Sequence, residues 1–180
     1  MTRKEFVYKY LPVINPLSQS SGILPGLVIA QAIIESADHK GNFGKNPNAE
    51  IGNNYFGIKA SKGWKGKTFV NPYVKTESNI FRAYDTIEDS IKDYYNFLLK
   101  NKRYRDAGLF EAKSVIGQAD ALMRAGYSTD QNYAALINSV YNGVKKFIND
   151  APAGSVVAAG GGAFVLGALF LLVILTNGKD

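Results

Sequence analysis

The run Leu27-Val28-Ile29-Ala30-Gln31-Ala32-Ile33-Ile34-Glu35-Ser36 is apolar on nearly every side of a helix, with Gln31 as its single strongly polar interruption. A helix of that kind is buried all round. Pro25 suits its first turn, where a missing N–H costs nothing, and Gly41 to Gly44 supplies the break beyond. Glu35 is thereby carried to the C-terminal end of a buried helix. Two effects then act on its carboxyl in one direction: poor solvation disfavours the anion, and so does the negative end of the helix dipole. Both raise the pKa, which a general acid needs if it is to hold a proton near neutral pH. The competing reading is a carboxylate that turns to water as the last turn frays.

Outward from this helix the pattern stays mainly helical. Phe6, Tyr10 and Val13 to Leu17 predict a short amphipathic helix that stops near Pro12 or Pro16, followed by a loop at Ser20-Ser21-Gly22. Residues Gly41 to Asn54, rich in Gly, Asn, Lys and Pro, read as a surface loop. Lys67 to Val74 and Ile80 to Tyr84 have the β-branched and aromatic content of a small hairpin, a minor β lobe. From Thr86 the apolar residues Ile87, Ile91, Tyr94, Tyr95 and Leu98 recur at helical spacing, with Asp85 or Thr86 as N-cap. Val115 to Met123 and Tyr133 to Ile148 read as two more helices, parted at Gly126.

Composition narrows the chemistry. Cysteine is absent and His39 is the only histidine, so a Cys/His zinc site or a Cys/His nucleophilic pair cannot form. A Ser/His/Asp triad would have to use His39, which lies in a polar stretch suited to a solvated loop. Carboxylate chemistry is what remains, with no metal or organic cofactor implied. The formal charge of +6 suits an anionic partner. No dense Lys/Arg run and no nucleic-acid motif is present, so nucleic acid is not the expected partner.

The C-terminal stretch differs from the rest. Ala151 to Gly178 carries no charged residue, and Val156 to Thr176 is apolar over about the 20 residues that a helix needs to cross a bilayer. The expected organisation is one folded domain over residues 1–150, a short linker over 151–154, a transmembrane helix over 155–176 and a polar tail over 177–180. A lipid bilayer is thus an expected partner, and the small residues Ala159, Ala163 and Gly167 permit helix–helix association within it. With no secretory signal peptide visible, the tail itself must direct insertion. Lys145 and Lys146 before it, against Lys179 after it, mildly favour a cytoplasmic head. The expected location is a bacterial envelope or a membrane-containing phage virion.

Six motifs occur in one order: Ala30 to Ser36; Asn53-Asn54-Tyr55-Phe56-Gly57-Ile58-Lys59-Ala60; Gly63-Trp64-Lys65-Gly66-Lys67; Thr76-Glu77; Phe81-Arg82-Ala83-Tyr84-Asp85; and Ala125-Gly126-Tyr127-Ser128-Thr129-Asp130-Gln131-Asn132-Tyr133-Ala134. In this the chain resembles the bacterial β-N-acetylglucosaminidases of glycoside hydrolase family seventy-three, which include flagellar-rod and autolysin-type peptidoglycan hydrolases. The match covers roughly Ile23 to Ile148. The resemblance implies a lysozyme-like helical domain with a small β lobe, with peptidoglycan glycan strands as substrate. By the same resemblance Glu35 is the general acid, Glu77 the second carboxylate with Glu50 and Asp38 in reserve, and Tyr127 the tyrosine that orients the N-acetyl group.

Where the family usually follows its Glu-Ser with Gly-Trp-Gly, Ala37-Asp38-His39 and a longer polar insertion stand here. Sugar faces are apolar patches ringed by hydroxyls, so a glycan groove combines flat rings with amides. Trp64, Tyr55, Tyr84 and Tyr133 are candidate rings, with Asn53, Asn54 and Lys59 as polar partners, although Asn54 also suits a loop-fixing role. The function expected is a membrane-anchored hydrolase of β-1,4 glycosidic bonds. A lytic transglycosylase and a non-catalytic wall-binding protein on the same scaffold are the alternatives.

Overall fold

The computed structural model describes residues 1–74 and 79–152. Helix α1, Arg3–Ser21, opens on a capping box in which the Glu5 amide donates to Thr2 Oγ1 at 3.2 Å and the Thr2 amide to Glu5 Oε2 at 2.7 Å. It runs straight through Pro12 and Pro16 and ends only at Gly22, in the left-handed region at φ 78°. The predicted stop near either proline is therefore wrong, and Ser20 and Ser21 are helical. Both prolines are exposed, while Phe6, Val7, Tyr10, Leu11, Ile14 and Ser18 are buried. The carbonyls that lose an N–H partner lie on the solvent side, where water replaces it, and the buried face pins the helix across the gap.

Helix α2, Pro25–Glu35, has Pro25 at its first position, and every residue from Gly26 to Ile33 is buried. It is wrapped by α1, by α6, Val115–Arg124, and by α7, Tyr133–Asn149. The expected loop from Gly41 to Asn54 contains a further short helix, α3, Pro47–Gly52. Asn46 caps it by accepting from the Ala49 amide at 3.0 Å, Pro47 sits at N1, and Asn53 closes it in the left-handed region at φ 48°. Turn-forming composition concealed a helix whose Asn and Pro are its caps.

The minor lobe is an antiparallel hairpin, β1, Thr68–Val70, and β2, Ile80–Arg82, with Phe69 opposite Phe81. Helix α4, Ile87–Lys100, starts at Thr86, whose Oγ1 accepts from the Asp89 amide at 3.1 Å. It buries Ile91, Tyr94, Tyr95 and Leu98, as the spacing predicts. A short α5, Lys102–Asp106, adds the buried Tyr104. No helix among the described residues is long and apolar enough to cross a membrane; the span expected over 155–176 lies outside the described residues.

Candidate active site

Glu35 is the last residue of α2, and the chain beyond it folds back to hold that end in place. The Asn46 side chain donates to the Glu35 carbonyl at 2.5 Å, and the Lys45 and Asn46 amides donate to the Ser36 carbonyl at 3.0 Å each. The Ser36 hydroxyl donates to the Ala32 carbonyl at 2.6 Å and accepts from the Gly44 amide at 3.2 Å. These bonds satisfy carbonyls that a fraying terminus would leave to water. The polar insertion after Ser36 is thus a brace for the helix end that carries the acid.

The carboxyl itself is half inside. Tyr133 donates its hydroxyl hydrogen to Glu35 Oε1 at 2.6 Å, and Gln31 Nε2 donates in turn to the Tyr133 oxygen at 2.9 Å. Behind them the Tyr94 hydroxyl donates to Gln31 Oε1. Burial raises the Glu35 pKa above the ordinary carboxylate value, and the hydrogen bond from Tyr133 opposes part of that rise. The other oxygen, Oε2, faces Gly57, at which a Cβ would stand 3.8 Å away.

A cleft of about 300 Å³ opens at this point, lined by Glu35, Phe56, Gly57, Ile58, Lys59, Phe97, Arg103, Tyr104 and Tyr127. One end of it is therefore a protonatable carboxyl, the walls are aromatic and aliphatic, and two cations stand at the rim. Among the described residues no cluster of His, Asp and Glu is placed to hold a metal ion.

The family described as mannosyl-glycoprotein endo-beta-N-acetylglucosaminidase matches residues 11–146. The chain belongs to this glucosaminidase family. It is 34% identical over 135 residues to the peptidoglycan hydrolase FlgJ of Escherichia coli K12, an alignment covering 71% of this chain and 42% of that protein. It is 31% identical over 128 residues to the exo-glucosaminidase LytG of Bacillus subtilis, covering 66% and 43% respectively. The chain thus spans less than half the length of these relatives. Among solved structures it is similar to a peptidoglycan hydrolase from Sphingomonas sp. A1, with TM-score 0.69, 29% identity, and 84% and 96% of the two chains covered. The glycoside hydrolase domain of Salmonella typhimurium FlgJ gives TM-score 0.62 at 29% identity, covering 83% and 92%. The glucosaminidase fold is accordingly lysozyme-like, mainly helical with a small antiparallel sheet.

Within this glucosaminidase domain the residues singled out from sequence separate into three groups. Glu35, Lys59 and Tyr127 meet in the cleft, and Tyr133 lies directly behind it as the hydrogen-bond donor to the acid, 4% exposed and without a free face. Tyr127 stacks on Tyr133 with ring centroids 6.0 Å apart and donates its hydroxyl to the Phe56 carbonyl at 3.0 Å.

Other residues of the same motifs shape the scaffold instead. Tyr55 is buried and stacked on Phe6 at 5.7 Å, so its ring belongs to the core and offers nothing to a sugar. Asn54 is fully buried, donating to the Ile58 and Arg82 carbonyls at 2.9 Å each and accepting from the Ile58 amide at 3.0 Å. Asn53 donates to the Tyr84 and Asp85 carbonyls at 3.1 and 3.2 Å. These two amides weld the loop before Gly57 to the hairpin, which fixes the cleft floor.

Trp64 and Tyr84 pack together on the minor lobe, edge to face at 6.0 Å, with the Arg82 guanidinium 4.4 Å from the Trp64 ring. Tyr84 donates to Asp93 at 2.7 Å, and Arg82 pairs with the same oxygen at 2.6 Å. Neither ring lines the cleft with Glu35. Of the reserve carboxylates, Asp38 is held by Asn42 and the Lys40 amide, and Glu50 is paired with Lys45 at 3.0 Å; both lie outside the cleft. Glu77 lies outside the described residues.

Gln31, Tyr94, Phe97, Arg103 and Tyr104 were not singled out as site residues. Gln31 carried a signal, being the one polar side chain in a greasy helix. Phe97, Arg103 and Tyr104 reach the cleft from α4 and α5, far along the chain, and no local pattern marks them, while Tyr94 is fully buried behind Gln31 and its helical spacing reads only as core.

Proposed function

We propose that this protein hydrolyses the β-1,4 glycosidic bonds of peptidoglycan glycan strands in the manner of an N-acetylglucosaminidase, with Glu35 as general acid. The observation that carries this reading is the Glu35 carboxyl, whose pKa burial raises above the ordinary carboxylate value, facing a cleft while its far oxygen is occupied by Tyr133. In the step envisaged, the C1–O bond breaks with its electron pair moving to the leaving oxygen, which takes the proton from Glu35 Oε2. The oxygen of a water molecule joins C1, and its proton passes to a carboxylate, Glu77 by family resemblance. Lys59 and Arg103 at the rim suit carboxylates borne by the wall polymer. Tyr127 is the residue suited to orienting the N-acetyl group.

The proposal includes an anchor. The apolar, uncharged residues 155–176 insert in a bilayer, and the head meets the wall either as part of a bacterial envelope or on entry from a membrane-containing virion. Protease protection of the head in sealed membranes and in intact virions distinguishes the two.

Digestion of purified sacculi, with mass spectrometry of the released fragments, tests the chemistry. Reducing-end sugars that disappear with Glu35→Gln are expected. Anhydro ends would point instead to transglycosylation, and binding without cleavage by the unmutated chain would overturn the enzymatic reading.

A further inference from the structure

Gln31 is 0% exposed at the centre of α2, and it is bonded at both ends of its amide. Its oxygen accepts from Tyr94, and its nitrogen donates to Tyr133. Tyr94 is itself fully buried, its ring stacked on Phe56 at 4.0 Å, so its hydroxyl hydrogen needs an acceptor inside the protein. Gln31 Oε1 is that acceptor, and the amide cannot reverse without stranding the Tyr94 hydrogen. With Nε2 turned to Tyr133, the Tyr133 oxygen already receives a hydrogen, and its own points to Glu35 Oε1. Were the amide reversed, Gln31 would take the Tyr133 hydrogen and Glu35 Oε1 would meet a lone pair instead.

We propose that Gln31 is a positioning residue for the acid: pinned by Tyr94, its amide turns the Tyr133 hydroxyl hydrogen onto Glu35 Oε1 and so reserves Oε2, the oxygen facing Gly57 and the cleft, for the proton that is transferred. The catalytic consequence rests on the glycosidase reading above; the order of hydrogens does not. The titratable groups that interact with Glu35 are the phenols of Tyr94 from α4, Tyr127 and Tyr133, and Tyr104 from α5 lines the same cleft. All have raised pKa values and stay neutral, and the three hydrogen bonds that link Tyr94, Gln31, Tyr133 and Glu35 include no cation. Lys59 and Arg103 stand on the cleft wall.

A double-mutant cycle separates positioning from packing. The probe is the ¹³C signal of the Glu35 carboxyl in the full chain labelled with ¹³C-glutamate, assigned by its loss in Glu35→Gln and followed against pH. Because the bond from Tyr133 favours the carboxylate, Gln31→Met and Tyr133→Phe are each expected to move the Glu35 titration upward. Adding Gln31→Met to Tyr133→Phe should then move it no further. An unshifted titration in Gln31→Met, or the same added shift in the Tyr133→Phe background, overturns the proposal.

If Gln31→Met does not fold, Tyr94→Phe decides, since it keeps the ring on Phe56 and frees the amide to reverse. A smaller upward shift is expected there, and none would overturn the proposal. Sacculus cleavage by Gln31→Met should fall about tenfold, a fraction of what a general acid supplies. A titration cycle that behaves as expected in a chain that cleaves no sacculi supports the positioning and refutes the glycosidase reading alone.

Discussion

Tyr127 and Tyr133 lie nearly parallel, 19° apart with ring centroids separated by 6.0 Å, yet they spend their hydroxyls in different places. Tyr133 donates to the Glu35 carboxyl at 2.6 Å, and Tyr127 to the Phe56 carbonyl at 3.0 Å. Loss of either hydroxyl leaves the stack intact, but only one loss touches the acid. Tyr133→Phe removes a bond that favours the Glu35 anion, so the Glu35 pKa rises further and the alkaline limb of the pH–activity profile moves to higher pH. Tyr133→Phe also strands Gln31 Nε2, at a cost of about 1–3 kcal/mol in stability. Tyr127→Phe should leave the position of that limb unchanged while lowering affinity for substrate. Activity on sacculi measured across pH for both variants checks the contrast.

Glu35 has a native pKa above the ordinary carboxylate value because burial disfavours its anion. The stability contributed by the neutral carboxyl is complete below the unfolded pKa and is lost as pH rises through the native one. Glu35→Gln stays neutral throughout and can still accept from Tyr133. Its melting temperature should therefore match the unmutated chain near pH 4 and exceed it at pH 8, with cleavage lost at both. Thermal unfolding at the two pH values measures this directly. A variant less stable at pH 8 would mean that the carboxylate is held as an anion by something other than Tyr133.

Asp93, on α4, holds two residues of the minor lobe at one oxygen, Arg82 at 2.6 Å and Tyr84 at 2.7 Å. The Arg82 and Asp93 side chains are 12% and 19% exposed, so the pair is poorly screened. Asp93→Ala leaves a guanidinium without its anion and a phenol without its acceptor, a loss of about 3 kcal/mol. Because Arg82 also packs against Phe97 of the cleft wall at 5.7 Å, activity should fall along with stability. Chemical denaturation, with cleavage assayed well below the midpoint, separates the two effects.

The helices and the place of Glu35 at the end of a buried one were legible because their signals are local. Ile87 to Leu98 repeat at helical spacing, and Glu35 ends a run that has only one polar residue. The failures have equally definite causes. Pro12 and Pro16 break a helix in isolation, but here they sit on the exposed face of one whose other face is fixed by Phe6, Tyr10 and Ile14. Tyr55 and Tyr133 look like sugar platforms in a motif, and only packing reveals that one ring is covered by Phe6 and the other spent on Glu35. Composition likewise took Asn46 and Pro47 for loop residues, when they are the cap and first turn of α3.

At Gly26 the core has no room for even a methyl group. A Cβ there would lie 2.5 Å from the Tyr141 ring and 2.9 Å from Val115 Cγ2, inside the contact between α2, α6 and α7. Alanine gains up to about 1 kcal/mol of helix propensity, but overpacking of this kind costs about 1–3 kcal/mol. Gly26→Ala should therefore lower the melting temperature. The loss should shrink in a Tyr141→Ala background, where the nearer obstacle is gone.

Gly57 combines two constraints. Its φ of +61° is one that an L side chain enters at a cost of about 1–2 kcal/mol. A Cβ there would also stand 3.8 Å from Glu35 Oε2 and 3.7 Å from Asn48 Nδ2. Those separations are ordinary contacts, so Gly57→Ala should fold with a modest loss of stability. The added methyl, however, occupies the side of the carboxyl from which its proton leaves. If Oε2 is the transferring oxygen, cleavage should fall well beyond what the stability loss accounts for, while the Glu35 titration keeps its place or moves upward through desolvation. Steady-state cleavage of sacculi by Gly57→Ala at a temperature where the variant is fully folded is the measurement. Activity equal to that of the unmutated chain would show that the glycosidic oxygen approaches Glu35 from another side.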